Sequence, residues 1–124
     1  MNKDKVERIV KKWLPKYIEA LQLENESIRV SVVAIPPDKN GINIDGDVGN
    51  ILEENFFDIR LNYVMLLDED GVKRTLWHEL LHIVHKELYL YQKVNKYKYP
   101  EVWSFGVERL VVKLKDLLDY RKIK

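Results

Sequence analysis

Apolar residues recur every three or four positions at the start of the chain, a spacing typical of one amphipathic helix. The apolar stripe consists of Val6, Ile9, Val10, Trp13, Leu14, Tyr17, Ile18 and Leu21. Lysines and a glutamate occupy the opposite face. Pro15 falls inside this pattern and has no backbone N–H to donate, so we expect the helix to kink or restart there.

Two later segments are short and rich in β-branched or bulky residues, which favours strands. The first covers 28–35 and stops at Pro36-Pro37, and the second covers 56–66. In the second, Phe57, Ile59, Leu61 and Tyr63 alternate with polar residues, so we predict that they share one face of a sheet, opposite Asp58, Arg60 and Asn62.

The segment 36–50 lies between these strands and is rich in glycine, asparagine and aspartate, which predicts a loop or a loose hairpin. Ile42-Asn43-Ile44 is a candidate short strand within it. Asp45-Gly46-Asp47 has residue types found in calcium loops, but no EF-hand glutamate follows at the required spacing. We therefore interpret this tripeptide as a turn.

Helical spacing returns after an acidic, turn-forming stretch at 67–71, whose carboxylates favour the positive end of a helix dipole. The pattern predicts a helix from about 72 to 94, a break over 95–100, and a last helix from 101 to about 120. The element order predicts a small α+β domain. It would contain an N-terminal helix, a short three-stranded mixed sheet, a central helix and a C-terminal helix.

Composition narrows the class of protein. A chain of 124 residues that is 46% hydrophobic and 33% charged suits one soluble globular domain spanning 1–124. Its 21 basic and 20 acidic residues nearly balance, which argues against a nucleic-acid or membrane-surface binder. There is no apolar run of membrane-spanning length and no signal-peptide pattern, so we expect a cytoplasmic location. With no cysteine, any metal must be held by His, Asp or Glu.

The residues that indicate chemistry lie in the central helix. His78 and His82 are four residues apart, so both imidazoles leave the same helix face and can bind one ion. Glu79 is rotated by about 100° from His78, which is too far for an easy ligand but close enough to reach a water on that ion. Zinc would lower the pKa of that water, and Glu79 would accept its proton and pass it to a leaving amine.

The rest of the helix supports this interpretation. Thr75, His78, His82, His85 and Tyr89 form one narrow stripe, and apolar residues cover most of the remaining circumference. Buried imidazoles need partners, and a metal ion provides one. The alternative is a metal-free interaction protein whose histidines are simply packed.

His78-Glu79-Leu80-Leu81-His82 resembles the active-site helix of the zincin metallopeptidases, which are zinc-dependent hydrolases of peptide bonds. The metzincin pattern HExxHxxGxxH is absent, because His85 replaces the glycine and Leu88 the last histidine. The chain is instead similar to a minimal gluzincin, or minigluzincin, in which the next helix supplies a glutamate ligand. The resemblance implies that Glu79 activates a zinc-bound water that attacks a peptide carbonyl.

We predict that Glu108, which lies 26 residues after His82 and across the expected helix break, completes the zinc ligands. Glu101 is the rival, although a carboxylate in the first turn of a helix has an ordinary explanation in the helix dipole. Asp116 and His85 remain further alternatives. His85 lies about 10.5 Å along the helix axis from His78, and three donors along one helix do not form a tetrahedral corner.

The resemblance also implies an oxyanion-stabilising group and a strand that pairs with the substrate. The candidates for the first are Tyr89, Tyr91, Tyr97, Tyr99 and His85, and the sequence does not choose among them. For the second, we expect the strand 56–63 to be an edge strand that pairs with an extended peptide or protein substrate. The alternative function is a zinc-binding regulatory or interaction domain without peptidase activity, either latent beneath the N-terminal helix or holding a structural zinc.

Overall fold

The computed structural model describes residues 1–49, 56–85 and 119–124. Helix α1 spans Lys3–Ala20 and helix α2 spans Glu69–Val84, with strands β1 (Ser27–Val33), β2 (Gly46–Gly49) and β3 (Phe56–Asn62) between them. A short 3₁₀ helix covers Tyr120–Lys122. The described part is thus α+β with a three-stranded mixed sheet, as the sequence predicts. Within these ranges, neither helix has the length and apolarity needed to cross a membrane.

Helix α1 is capped by Asn2, whose side chain accepts a hydrogen bond from the Lys5 N–H at 2.8 Å. It continues through Pro15 as a single element, so the predicted restart is wrong. Pro15 is exposed, and water can replace the hydrogen bond that the ring nitrogen cannot donate. Val6, Ile9, Val10 and Tyr17 are the buried residues of the predicted apolar stripe.

The strand order is β1-β3-β2, with β1 parallel and β2 antiparallel to β3. Strand β3 is therefore central, and the prediction that it forms an edge is wrong. Phe57, Ile59 and Leu61 are completely buried on its helix-facing side, as their alternation predicts. A strand with so apolar a face gains most from the central position, where a neighbouring strand lies along each of its two edges.

The opposite face of the sheet carries ion pairs in register across all three strands. Arg29 on β1 pairs with Asp58 on β3 at 2.8 Å, and Arg60 on β3 pairs with Asp47 on β2. The Arg29 guanidinium beside Asp58 lowers the pKa of that carboxyl. These exposed pairs help to set the register of the strands.

Asn62 departs from the predicted alternation. The pattern predicts that it shares the polar face with Asp58 and Arg60, but its side chain is buried. Its Oδ1 accepts from the Ile35 N–H at 3.2 Å, and its Nδ2 donates to the carbonyls of Ile35 at 3.2 Å and Ile44 at 2.9 Å. The amide thereby ties both ends of the loop between β1 and β2 to the end of β3.

The strand in the glycine-rich segment begins later than predicted. Ile42-Asn43-Ile44 is not a strand, and Asp45-Gly46-Asp47 is not a turn, because Gly46 and Asp47 already belong to β2. A Cβ atom on Gly46 would lie 2.7 Å from the carbonyl oxygen of Arg60 and 3.1 Å from Cγ2 of Thr75. Only glycine allows β2 to approach β3 and α2 this closely.

Helix α2 begins at Glu69, three residues before the predicted start, because Asp68 caps it by accepting from the Gly71 N–H at 2.7 Å. Within the described residues its predicted burial over most of its circumference is confirmed, although Val84 near its end is exposed. It packs against α1, where the rings of Tyr17 and Trp77 meet edge to face with centroids 5.0 Å apart.

The C-terminal residues return to the beginning of α2. The Tyr120 hydroxyl donates to Oδ1 of Asp70 at 2.7 Å, and Tyr120 is buried. Asp119 has extended backbone angles, so a helix from residue 101 would end before it rather than reach Tyr120. The predicted helix over 86–94, the break at 95–100 and the rest of the last helix lie outside the described residues.

Candidate metal centre

Helix α2 directs the two histidines of the motif to one point. The Nε2 atoms of His78 and His82 are 3.2 Å apart, and the two rings are nearly perpendicular, with centroids separated by 4.8 Å. His82 is buried and His78 is half-buried. Two imidazole nitrogens therefore converge at a site that is open on one side.

This separation suits a shared metal ion. Zinc–nitrogen bonds of about 2.0–2.1 Å at a tetrahedral angle place two ligand nitrogens about 3.3 Å apart. The Nε2 separation of 3.2 Å in this structure agrees with that spacing. The imidazole pair thus fits a metal ion without a change in the helix.

Glu79 adds a carboxylate to the same group. The ligand atoms of His78, Glu79 and His82 all lie within 4.8 Å of one another. Glu79 is only 6% exposed, and burying a carboxylate requires compensating interactions. The three residues can together hold a metal ion, and their nitrogen and oxygen donors suit zinc among several divalent metals.

His85 lies at the end of α2, where it is half-buried and its backbone N–H bonds to the carbonyls of Leu81 and His82. Burial lowers the pKa of its imidazole. Within the described ranges, the group able to hold an ion comprises the three motif residues and does not include His85. The cause is the distance along the helix, which separates His85 from His78 by almost two turns.

The other predicted site residues lie outside the described part of the chain. They are Glu108, its rivals Glu101 and Asp116, and the four tyrosines Tyr89, Tyr91, Tyr97 and Tyr99.

An open cavity of about 300 Å³ borders the metal-binding group. Helix α2 contributes one wall and the segment leading into β2 contributes the other. The lining residues are Arg74, Thr75, His78, Glu79, Ile44, Asp45 and Gly46. The strand beside the candidate centre is therefore β2 and not β3. The described lining contains no residue of α1, which gives no support to a latent form covered by the N-terminal helix.

Sequence reasoning missed four of these lining residues, namely Arg74, Ile44, Asp45 and Gly46. Helical periodicity contained the signal for Arg74, because a residue four positions before His78 lies on the same face. The other three reach the cavity only through the pairing of β2 with β3, which no local pattern in the sequence indicates.

Comparisons with known protein families, with curated proteins and with solved structures find no match to this chain. The features of this chain that indicate a function are the HELLH residues, the convergence of their side chains and the cavity beside them.

Proposed function

We propose that the protein is a zinc-dependent peptidase of the zincin type. His78, His82 and Glu108 hold the zinc in this proposal, and Glu79 is the general base and acid. The observation that supports it best is the 3.2 Å pair of imidazole nitrogens beside the buried carboxylate of Glu79. When bound, zinc supplies a Lewis acid that acidifies water and polarises a carbonyl oxygen.

The position of Glu79 supports its proposed role in the proton transfers. Its carboxylate belongs to the metal-binding group and also lines the cavity, so it can reach a water at the mouth of the site. It accepts a proton from that water as the water oxygen attacks the carbonyl carbon. It then delivers the proton to the leaving nitrogen as the C–N bond breaks, which regenerates the carboxylate.

Glu108 lies outside the described residues, so its proposed role as the third ligand depends on the sequence pattern. In the gluzincins that this chain resembles, the helix after the HExxH motif supplies a glutamate ligand. Glu101 follows Pro100 in the first turn of the predicted last helix, where the helix dipole already explains a carboxylate. Glu108 is therefore the proposed ligand and Glu101 its control.

The substrate is proposed to bind as an extended peptide along β2. In the described part of the chain β2 pairs with β3 on one side only, and its first residue, Gly46, lines the cavity. A peptide on the other side would continue the sheet through backbone hydrogen bonds and bring a carbonyl to the centre. In this proposal β2, and not the strand 56–63, is the strand that pairs with the substrate.

Metal content and hydrolysis test the proposal together. Purified wild type loaded with zinc and dialysed is expected to retain one zinc per chain by plasma mass spectrometry, and His82→Ala is expected to lose it. Glu108→Ala should bind zinc more weakly, whereas the matched control Glu101→Ala should bind it like wild type. Glu79→Gln should keep the zinc but fail to cleave a peptide library that wild type cleaves.

The results also separate the alternatives. Absence of zinc in the loaded wild type would overturn the metal site and favour packed histidines. Stoichiometric zinc without cleavage of any peptide by wild type would establish a zinc-binding domain without peptidase activity.

A further inference from the structure

The cavity beside the candidate centre has a cation on its α2 wall. Arg74 lines the cavity one helical turn before His78, on the same face of α2. Its side chain is 52% exposed. Among the described residues its polar contact is with Asp70, from Nη1 to Oδ2 at 3.5 Å, which is the outer limit of a hydrogen bond.

This contact leaves most of the guanidinium available to a ligand. An exposed pair of opposite charges four residues apart on a helix contributes little to stability. Asp70 also accepts the shorter hydrogen bond from Tyr120 at 2.7 Å, so its carboxylate is held in place without Arg74. Arg74 can therefore turn to a second carboxylate at little cost.

The direction of the side chain indicates which part of a substrate it meets. Side chains in a helix lean toward its N-terminus, and the contact with Asp70 shows that Arg74 does so. The guanidinium thus points away from His78 rather than toward a carbonyl at the centre. The backbone of Arg74 is one helical turn, about 5.4 Å, before His78, and the lean of its side chain toward Asp70 adds up to a second turn, whereas an extended peptide advances about 3.3 Å per residue. The guanidinium is therefore about two or three residues along the substrate from the reacting carbonyl.

We propose that Arg74 determines specificity by binding a carboxylate of the substrate about two or three residues from the cleaved bond. This inference rests on the proposed peptidase function. The carboxylate can belong to an aspartate or glutamate side chain or to the C-terminus of the substrate, since both present the same planar pair of oxygens. A guanidinium binds such a pair with two parallel hydrogen bonds, which a lysine cannot reproduce.

Matched peptides test this inference with the zinc-loaded chain. One arm compares peptides with glutamate or glutamine at each of the three positions on either side of the cleaved bond, and the other compares a free C-terminal acid with its amide. Wild type should show a KM about tenfold lower for the acidic member of one arm, as expected for a charge-assisted hydrogen bond. Arg74→Gln should remove this preference, and Arg74→Lys should restore only part of it.

Lys73→Gln is the matched control. It removes the same unit charge one position earlier, but the Lys73 ammonium lies 3.8 Å from the ring centroid of Trp13, and Lys73 is not part of the cavity lining. It should keep the preference for the acidic peptide. Equal loss in Lys73→Gln and Arg74→Gln would show a general charge effect and would overturn direct binding by Arg74.

Binding separates this inference from the proposed function. Zinc-loaded Glu79→Gln should bind the fluorescently labelled acidic peptide about tenfold more tightly than the neutral one, and adding Arg74→Gln should abolish the difference. If the acidic peptide binds in an Arg74-dependent way but wild type hydrolyses no peptide, carboxylate binding by Arg74 is supported and the peptidase function is rejected. If neither arm shows a preference for the acidic peptide, in hydrolysis or in binding, the inference is rejected.

Discussion

Replacement of Asn62 by alanine is expected to destabilise the protein strongly, although the residue is polar and lies at the end of a strand. Its side chain is 1% exposed and makes three hydrogen bonds to backbone groups of Ile35 and Ile44. A hydrogen bond of this kind contributes about 1 kcal/mol net, so the loss should be about 3 kcal/mol in the free energy of unfolding. The backbone groups left behind add to this cost where water cannot reach them.

Urea denaturation followed by tryptophan fluorescence measures this loss. Wild type and variant are compared with excess chelator, because metal bound to the folded state alone would add its own stabilisation. Asn43→Ala is the matched control, since Asn43 is an exposed asparagine of the same loop and should change the free energy by no more than about 0.5 kcal/mol.

A loss below about 1 kcal/mol for Asn62→Ala would refute the argument that these hydrogen bonds hold the loop to β3. Asn62→Asp gives a second check, because it keeps the acceptor for the Ile35 N–H but places an oxygen opposite two carbonyl oxygens. It should therefore be at least as unstable at neutral pH as Asn62→Ala.

Further expectations concern the sheet and the C-terminal anchor. Gly46→Ala should cost about 1–3 kcal/mol of stability in urea, since its Cβ would meet backbone, whereas Gly49→Ala, with its nearest atom at 4.0 Å, should change little; equal losses would contradict the close approach of β2. Hydrogen bonding from Arg29 lowers the pKa of Asp58, so its stabilisation is present above the unfolded pKa of about 3.9 and is lost as the pH falls through the lower folded value. An acid titration of stability should accordingly be less steep in Asp58→Asn than in wild type. Burial, and then a hydrogen bond to a carboxylate of α2, raise the pKa of Tyr120 to about 12. Its contribution is therefore complete below the unfolded pKa of about 10 and is lost as the pH rises toward 12, and Tyr120→Phe should reduce the fall in stability over that range.

Several local features of this protein could be predicted from its sequence. Helical spacing places His78 and His82 on one face, and alternation places Phe57, Ile59 and Leu61 in the core. Both follow from the geometry of a single element, in which position along the chain determines direction. The grouping of His78, Glu79 and His82 needed no information beyond the existence of α2.

Other features depended on which distant segments pair. Strand β2 is four residues long and begins and ends with glycine, so its local signal is weak, and only its partner β3 makes it a strand. That pairing moved β3 to the centre of the sheet and placed Gly46 beside the candidate centre.

The burial of Asn62 and the anchoring of Tyr120 to Asp70 have the same origin. Each depends on hydrogen bonds between residues at least 18 positions apart in the chain. Short-range periodicity describes one element at a time, whereas the free energy of these contacts exists only once the elements have packed. The sequence thus determined the chemistry on α2, and the tertiary structure decided which strand and which side chains surround it.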